Sequence, residues 1–441
     1  MTHAQKVERL LAEVQAAQGA PLGLAKDTSN LFRDRAPVAK QRLDVRAFNE
    51  VLAVDAAGGW VEAEGMASYE RLVDACLPQG VMPAVVPQLK SITLGGAAAG
   101  VGIEASSFKY GLVHETLAQI EVLLPDGRVV TATPDNEYAD LFLGFPNSYG
   151  TLGYALKLRA RAVPVKPYVR LTHTRFTDAA AAFAALAQRC GGDADFVDGV
   201  VFGRDSVVIT EGRFVDAAPY TSDYSFERIY YKSLLARGED YLTVRDYIWR
   251  WDTDWFWCSK NLGMQNPILR RLAGRKRLNS VFYTRMMRWN SRWRLTHRLD
   301  RLMGWHRESV IQDVDIPMAR APEFLDFLLR KIGILPIWLC PIRPQGRPFT
   351  LYPMDAGTLY VNFGFWDVVR RREAFPPGHH NRLIEAEVMA LGGIKSLYSE
   401  SYYDAATFWR IYNGEAYRAL KAKYDPQGRQ KDLYQKTVLR L

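Results

Sequence analysis

Cysteine is scarce in this chain of 441 residues, and no two cysteines stand close together. The four are Cys76, Cys190, Cys258 and Cys340. This spacing contains no Cys-X-X-Cys pair, so it argues against a zinc site and against a disulfide framework, and it favours a reducing compartment. We therefore predict no metal site and no disulfide.

Long apolar runs are also missing. No window of about 18 apolar residues is present, which is the length that a membrane-spanning helix requires. The N-terminal stretch MTHAQKVERLLAEVQAAQGAPLG has the pattern of a short amphipathic helix and lacks the apolar centre of a signal peptide. These absences lead us to expect a cytoplasmic protein, at most peripheral on the inner face of the cell membrane.

The usual nucleotide-binding motifs are absent, although glycine is concentrated in one place. Residues 91–111 read SITLGGAAAGVGIEASSFKYG. No Lys-Ser/Thr pair completes a P-loop, and the glycines neither have GxGxxG spacing nor open a clean helix. Two interpretations remain. The stretch is a loop with tight turns, or it is a backbone nest whose amides donate to the phosphates of a flat, anionic cofactor.

The remaining pattern predicts an α+β fold. Strand-like runs alternate with turns over residues 41–165, and Asp126-Gly127 between two apolar runs predicts a hairpin. Strands return over residues 311–400. The stretch YDAATFWRIYNGEAYRALKAKYDP predicts one amphipathic helix, with Asp404 as its N-cap and Pro426 as its stop.

Several ordered motifs carry a resemblance to a known family. They are SITLGG at 91–96, GIEASSFKYGL at 102–112, EVLLPDGRVV at 121–130, DLFLGFPNSYGTLG at 140–153, KPYVRL at 166–171, WLCPI at 338–342 and LYSESYYDAATFWRIYNGEAY at 397–417, with KDTSNLFR at 26–33 as a first cofactor loop. The chain resembles FAD-linked oxidoreductases of the vanillyl-alcohol-oxidase superfamily. Within it, the chain is most similar to the Δ24-sterol reductase branch and its bacterial relatives that desaturate or reduce lipid acyl chains.

The resemblance implies a fold and a domain plan. It implies a two-subdomain FAD-binding domain over residues 1–165. An α+β substrate domain with an antiparallel sheet follows over residues 166–395, and residues 396–441 return to cover the flavin.

The resemblance also implies where FAD binds. In this family the glycine-rich loop lies along the cofactor, so that side chains at the four glycines would collide with it. Many superfamily members anchor FAD covalently through His or Cys, but residues 26–60 lack His and residues 84–112 lack Cys, so we predict non-covalent FAD. His114 follows the second loop and is interpreted as an ordinary histidine. The predicted cofactor residues are Ser29, Asn30, Leu31, Phe32, Arg33, Pro87, Ile92, Thr93, Gly95, Gly96, Gly100, Gly102, Ile103, Glu104, Ser106, Ser107, Gly150, Thr151 and Gly153.

The C-terminal motif LYSESYYD is where a catalytic proton is expected. Sugar oxidases of the superfamily carry a lysine in the comparable segment, and Ser401 stands at that position here. The candidates for handling the proton are Glu400, Tyr398 and Tyr402, because an acid or base must lie within hydrogen-bond reach of the substrate. Asn362 is a weaker candidate for orienting the substrate.

A basic, tryptophan-rich segment covers residues 249–307. From Arg270 to Arg307 it has twelve Lys or Arg and one acid, Asp300. Three interpretations compete: core aromatics with a solvated basic face, nucleic-acid binding, and docking on an anionic membrane. We favour the membrane and expect no nucleic acid. The predicted membrane residues are Trp249, Trp257, Arg275, Lys276, Arg277, Trp289 and Trp293.

Together these features predict an FAD-dependent oxidoreductase that forms or reduces a carbon–carbon double bond in a lipid. The favoured substrate is a methyl-branched acyl chain of a membrane phospholipid, with a slight preference for desaturation. One alternative is an NADPH-dependent reductase of a methylene-branched chain or a sterol side chain. Others are a sugar or alditol oxidase, and a flavin-fold binding module without chemistry. The oligomeric state is not predicted.

Overall fold

The computed structural model describes residues 1–27, 32, 39–293, 300 and 303–441; for residues 288 and 290–293 it describes the backbone only. Four predicted cofactor residues, Ser29, Asn30, Leu31 and Arg33, lie outside this part of the chain. The side chain of Trp293 does so as well.

The N-terminal part of the chain builds two sheets from short strands. Their bounds are β1 Leu22–Ala25, β2 Gln41–Asp44, β3 Val51–Asp55, β4 Trp60–Glu64, β5 Val81–Pro83, β6 Leu117–Leu123, β7 Val129–Ala132 and β8 Tyr154–Pro164. Strands β1 and β2 pair in parallel. The larger sheet has the antiparallel order β3-β4-β8-β6-β7, with β5 on β8. The predicted hairpin at Asp126-Gly127 is confirmed, because it joins β6 to β7.

The following part of the chain builds one eight-stranded antiparallel sheet. Its strands are β9 Tyr168–Phe176, β10 Phe196–Gly203, β11 Ser206–Val215, β12 Glu239–Thr243, β13 His306–Pro317, β14 Ile337–Ile342, β15 Tyr360–Arg371 and β16 Ile394–Lys395. Their order is β12-β9-β11-β10-β14-β15-β13-β16. The longest pairing joins β13 and β15, and it sets Asp315 directly opposite Asn362. The predicted α+β fold with an antiparallel second sheet is confirmed.

Helices pack on both sheets. The α-helices are His3–Ala16, Tyr69–Cys76, Leu94–Ala99, Ser107–Tyr110, Ala139–Gly144, Ala179–Arg189, Tyr230–Ser233, Val244–Ile248, Pro267–Ala273, Ser280–Trp293, Ala321–Phe327, His379–Ala390, Ala405–Ile411, Gly414–Tyr424 and Leu433–Thr437. Within the described residues, no helix combines the length and the apolarity needed to cross a bilayer.

Two helix predictions differ from the structure. The predicted C-terminal helix begins after Asp404 as expected, but it is split at Asn413, whose φ of 50° breaks the helix and whose side chain caps the next one. The glycine-rich stretch does form a helix, Leu94–Ala99, because the Thr93 hydroxyl accepts a hydrogen bond from the Gly96 amide. The capping hydroxyl thus compensates for the poor helix propensity of glycine.

The tryptophans of the basic segment lie mostly in the core. Trp257 is completely buried, and Trp249 is only 7% exposed. Trp251 packs face to face with Phe256, with their ring centroids 4.9 Å apart. The prediction that Trp249 and Trp257 face a membrane is therefore wrong, because both side chains fill the core. Trp289 is 52% exposed and stays at the surface.

A buried charge cluster joins the two large sheets. The Arg250 guanidinium lies 2.9 Å from the Asp198 carboxylate on β10 and 3.4 Å from the Glu104 carboxylate, which follows the glycine-rich helix. The three side chains are at most 4% exposed. Burial raises the pKa of Glu104 to about 7, although Arg250 offsets part of that rise. The cluster places charges from both parts of the chain in one desolvated site.

Candidate active site

One large cavity, of about 1910 Å³, lies between the two sheets and the C-terminal segment. It exceeds the range of about 300–1,000 Å³ that holds one drug-sized ligand, so it has room for a dinucleotide and a second molecule. The first cofactor loop and the C-terminal segment meet at its wall. The Phe32 amide donates to the Tyr398 carbonyl at 3.1 Å, and Phe32 forms a parallel bridge with Ser399.

The cavity brings together most of the residues predicted for FAD and for catalysis. The predicted cofactor residues that line it are Phe32, Pro87, Ile92, Thr93, Gly95, Gly96, Gly100, Gly102, Ile103, Gly150 and Gly153, and the predicted catalytic residues that line it are Asn362, Tyr398, Glu400 and Tyr402.

Four other predicted cofactor residues lie behind this wall. Ser106 donates its hydroxyl to the Ala84 carbonyl, Ser107 accepts from the Glu104 amide, and Thr151 donates to the Ser148 carbonyl. Glu104 belongs to the charge cluster with Arg250. The polar groups of these four residues therefore make hydrogen bonds or ion pairs within the protein and do not line the cavity.

Gly95, Gly96, Gly100 and Gly102 line one side of the cavity, which we call the glycine-rich wall. One of these positions, Gly96, is open toward the cavity. A Cβ on Gly96 would meet only the Thr93 hydroxyl, at 2.8 Å. By contrast, a Cβ on Gly95 would lie 2.7 Å from the Gly65 carbonyl, and one on Gly102 would lie 2.9 Å from Val113. Packing within the protein therefore already requires Gly95 and Gly102, and the prediction that the four glycines make room for the cofactor stays a prediction. Gly96 offers the surface on which a flat ligand fits.

The opposite stretch, residues 147–153, is held in an unusual conformation. Asn147, Tyr149 and Gly150 have φ of 60°, 50° and 74°. Left-handed backbone at residues other than glycine costs energy, and such strain clusters at ligand sites. The C-terminal segment supports the loop, because Lys436 donates to the Tyr149 carbonyl at 2.6 Å and Lys421 donates to the Thr151 carbonyl at 2.8 Å.

The positive charge and the volume of the cavity near the glycine-rich wall suit FAD. Lys26, Lys40 and Arg42 line the cavity and place positive charge where a pyrophosphate would be favoured. Together with the open Gly96, they form the set of residues that would hold the cofactor. The fit of FAD to this site therefore depends on three features: the large cavity, the glycine-rich wall and the three cations.

Another part of the same cavity is lined by aromatic and sulfur-containing side chains. Trp255 and Phe256, with φ of 47° and 57°, line it together with Trp338, Trp366 and Met287. The Phe256 ring lies 4.4 Å from the Trp366 ring, measured between centroids. Two consecutive bulky residues in the left-handed region hold their rings at the cavity wall. We call this part the aromatic chamber.

A carboxyl that the sequence analysis missed lies beside Tyr398. Asp313 lines the cavity from β13, and its buried Oδ1 atom has no hydrogen-bond partner. Burial raises the pKa of Asp313 to about 7, with a hydrogen bond from Tyr398 offsetting part of the rise and the nearby Asp315 adding to it. Gly364, opposite Asp313, leaves room for this carboxyl, since a Cβ there would lie 2.9 Å from Oδ1.

A second carboxyl follows two residues later on the same face of β13. Asp315 accepts hydrogen bonds from the Asn362 amide and the Tyr352 hydroxyl, both at 2.7 Å. Burial raises its pKa to about 6, although these two bonds offset part of the rise. Asn362 is therefore oriented by Asp315, and its own buried oxygen has no partner.

Glu400 has partners on both carboxylate oxygens. The Arg440 guanidinium lies 3.0 Å from Oε1, and the Tyr402 hydroxyl donates to Oε2 at 2.6 Å. Burial is the main reason why the pKa of Tyr402 lies well above its ordinary value, and the hydrogen bond to Glu400 raises this pKa further. These bonds fix the Glu400 carboxylate in one orientation at the cavity wall.

Two further sequence positions lie in the protein interior. The His114 ring packs edge to face on Phe349 with centroids 4.4 Å apart, and burial lowers its pKa to about 3. Ser401 is buried and accepts a hydrogen bond from Lys395 at 3.0 Å, while Lys395 also pairs with Glu385 at 2.8 Å. Neither His114 nor Ser401 lines the cavity.

The sequence contains a signal for Asp313 and Asp315. In VIQDVDIP the buried apolar residues Val310, Val314 and Ile316 stand at even-numbered positions and share one face of the strand, whereas the odd-numbered positions form the other face. Two carboxyls at alternating positions therefore lie together on that second face. Asp313 is half-buried and Asp315 is buried, so this carboxyl face is not a solvated surface, and paired carboxyls there indicate a functional site.

Comparisons with known proteins agree with this geometry. An FAD binding domain family matches residues 2–133. Delta(24)-sterol reductase from Homo sapiens is 28% identical over 403 residues, which are 88% of this chain and 76% of the human protein. The Arabidopsis thaliana Delta(24)-sterol reductase is 26% identical over 450 residues, 90% of this chain and 76% of the plant protein. Cytokinin dehydrogenase 2 from rice is 24% identical over 208 residues, 45% of this chain and 35% of the rice protein.

The family match spans the glycine-rich wall, and the similarity to the sterol reductases extends over nearly the whole chain. The chain is therefore an FAD-binding-domain protein, an FAD-dependent oxidoreductase distantly related to the Delta(24)-sterol reductases.

Proposed function

We propose that this protein forms or reduces a carbon–carbon double bond in a lipid. The proposed substrate is a methyl-branched acyl chain of a membrane phospholipid, and the favoured direction is desaturation. The observation that carries the proposal is the aromatic chamber, which shares one cavity with the glycine-rich wall. The relatives add support, because the Delta(24)-sterol reductases are named as reductases of a sterol, which is itself a lipid.

The aromatic chamber suits an acyl chain. Trp255, Phe256 and Met287 offer apolar surface, and transfer of apolar groups out of water is favourable by about 25 cal/mol for each Å². Such a wall also excludes water from the reacting carbons. A polyol would leave its hydroxyl groups unpaired there, so the chamber favours a lipid over a sugar.

FAD, when bound, takes up a hydride in desaturation and gives one up in reduction. The protein supplies the proton site. The Tyr398 hydroxyl accepts a hydrogen bond from the Trp366 indole at 2.7 Å, and the Asp313 carboxyl lies near enough for this hydroxyl to influence its pKa. We assign the Tyr398–Asp313 pair to hold the proton that leaves the substrate in desaturation or joins it in reduction. A carboxyl with a pKa near 7 can do both at neutral pH.

Three predicted residues complete this proton site. Glu400, held by Arg440, fixes the Tyr402 hydroxyl, and Asn362 donates its side-chain N–H to Asp315, which leaves its amide oxygen without a partner. In desaturation two C–H bonds on adjacent carbons break: the hydride would go to FAD, the proton would go to the Tyr398–Asp313 pair, and the carbon–carbon single bond would become a double bond. Oxygen or another electron acceptor would be needed to reoxidise FAD. In the reductive alternative, NADPH supplies the hydride.

The test is reduction of the bound flavin without oxygen. Phospholipid with methyl-branched chains should bleach the oxidised flavin absorbance, whereas the same phospholipid with straight saturated chains should not. Bleaching by NADPH, with reoxidation by a methylene-branched lipid, would establish the reductase instead. Bleaching by small polyols but by neither lipid nor NADPH would overturn the proposal in favour of a sugar oxidase.

A further inference from the structure

The short helix Pro267–Ala273 exposes large aliphatic side chains. Ile268 is 69% exposed, Leu269 44% and Leu272 74%. Three such residues within five positions form a contiguous apolar surface, which soluble surfaces rarely carry without a partner. We call this the aliphatic ridge.

The opposite side of the same helix is fixed to the protein core. Arg270 is 2% exposed, and its guanidinium forms two bonds to the Asp254 carboxylate, at 2.6 and 3.1 Å. Breaking such a buried pair would leave an uncompensated charge in the core and would be strongly unfavourable. The helix therefore cannot rotate, and the aliphatic ridge stays outward.

Positive charge follows the ridge directly in sequence. Arg275, Lys276 and Arg277 form the next helical turn, and all three are exposed. Arg275 pairs with Asp223 at 3.0 Å, while Lys276 and Arg277 form no ion pair with any described residue. An apolar surface beside exposed cations is the pattern of a segment that lies at the interface of an anionic membrane.

The next helix, Ser280–Trp293, connects this surface to the cavity. Trp289 is 52% exposed and also lines the cavity, as do Met286 and Met287 from the same helix. Tryptophan is favoured at the level of lipid headgroups. A lipid chain at this surface would therefore be adjacent to the aromatic chamber.

We propose that the aliphatic ridge docks on an anionic lipid bilayer. Ile268, Leu269 and Leu272 enter the outer acyl region, Trp289 lies at the headgroup level, and Lys276 and Arg277 contact the lipid phosphates. This surface keeps Lys276, Arg277 and Trp289 of the predicted membrane residues, and the aliphatic ridge takes the place of Trp249 and Trp257, which are buried. Docking needs no turnover, so it is tested separately from the proposed function.

The test uses the FAD-loaded protein and sedimentation with vesicles. The vesicles are phosphatidylcholine alone, or phosphatidylcholine mixed with phosphatidylglycerol. Wild type should bind the mixed vesicles, and rising salt should weaken binding because the Debye length is only about 8 Å at physiological ionic strength. Ile268→Ser/Leu272→Ser should weaken binding about tenfold or more, because burial of one aliphatic side chain is worth at least that factor.

The matched control is Leu383→Ser/Met389→Ser, which removes two exposed aliphatic side chains from the helix His379–Ala390. It should bind like wild type, and Lys276→Glu/Arg277→Glu should bind poorly even at low salt. An intact flavin spectrum checks the fold of each variant. Equal binding by wild type and Ile268→Ser/Leu272→Ser would overturn the proposal. So would a lipid-independent dimer that this double variant dissociates, since the ridge would then cover a second copy of the chain.

Discussion

The indole N–H of Trp366 donates to the Tyr398 hydroxyl oxygen at 2.7 Å. The Asp313 carboxyl lies near the same hydroxyl, and the influence of Tyr398 offsets part of the rise that burial causes in the pKa of Asp313. The buried Oδ1 atom of Asp313 has no hydrogen-bond partner, so this oxygen can accept a proton or a hydrogen bond from a molecule in the cavity. The first prediction follows from this arrangement.

Asp313→Asn should lower turnover by about 10²–10⁴-fold, the usual contribution of a positioned acid or base, while FAD stays bound. The amide keeps the shape of the side chain and removes its titration. Glu400→Gln is the comparison, because that carboxylate has partners on both oxygens. It should lose less activity. A large loss in Glu400→Gln with an active Asp313→Asn would transfer the proton role to Glu400.

The same variant should change how stability depends on pH. An unfolded Asp has a pKa of about 3.9, whereas burial raises that of Asp313 to about 7. The folded protein then holds the proton more tightly, so the free energy of unfolding falls as pH rises from about 4 to about 7 and is level above that. Asp313→Asn lacks this decline. Denaturant unfolding of both proteins should show a difference that grows by up to about 1.4 kcal/mol for each pH unit in this window. Parallel pH profiles would contradict the assignment.

Gly96→Val should give a folded protein that does not retain FAD. Apart from the Thr93 hydroxyl at 2.8 Å, only the cavity is available to the new side chain. Far-UV circular dichroism should match wild type, while the ratio of flavin to protein absorbance falls. Gly238→Val is the control, because no atom lies within 4 Å of the added Cβ there. Full flavin occupancy in Gly96→Val would show that the cofactor does not approach this wall.

Trp257→Ala should reduce the free energy of unfolding by about 3–5 kcal/mol, the usual cost of removing a buried aromatic side chain. Trp289→Ala should change it by less than about 0.5 kcal/mol, since the exposed indole leaves no cavity behind. Chemical denaturation of the two variants measures both values. A larger loss in Trp289→Ala than in Trp257→Ala would reverse the assignment of core and surface.

Acid precipitation should release all flavin into the supernatant. Cys258 is a cysteine at the cavity wall, and burial raises the pKa of its thiol to about 12. The thiol is therefore neutral at pH 7, and the thiolate is the form that would attach to a flavin. Cys258→Ser should keep the same flavin content. Flavin that stays on the precipitated wild-type protein would show a covalent bond.

The sequence predicted those parts of the fold that depend on local chemistry. The Asp126-Gly127 turn and the Asp404 cap form where expected, because each is decided by a few neighbouring residues. The Leu94–Ala99 helix was missed, because its glycines disfavour a helix and the decisive interaction is the cap from Thr93. The break at Asn413 has a similar cause, since an asparagine in the left-handed region begins a new helix there.

Residues of the site could be predicted from the sequence only where they stand in a recognisable family motif. Gly96 and Tyr398 stand in recognisable segments, and both line the cavity. Asp313 belongs to no family motif, and its alternation with Asp315 is only a weak signal; it lies near Tyr398 because β13 pairs with β15 and the C-terminal segment packs beside them. For the tryptophans, composition could not distinguish Trp257 in the core from Trp289 at the surface, since burial is decided by tertiary packing.

The buried cluster of Arg250, Glu104 and Asp198 has a consequence for building chimeras. In a chimera whose second half buries Glu104 but has no cation at the position of Arg250, the carboxylate would be unpaired, and an unpaired buried charge costs about 3–5 kcal/mol. The FAD-binding half is therefore not an exchangeable module. Any recombination with a relative must transfer Arg250 and Asp198 together with the glycine-rich segment, so the two halves of the chain are constrained to evolve as one unit.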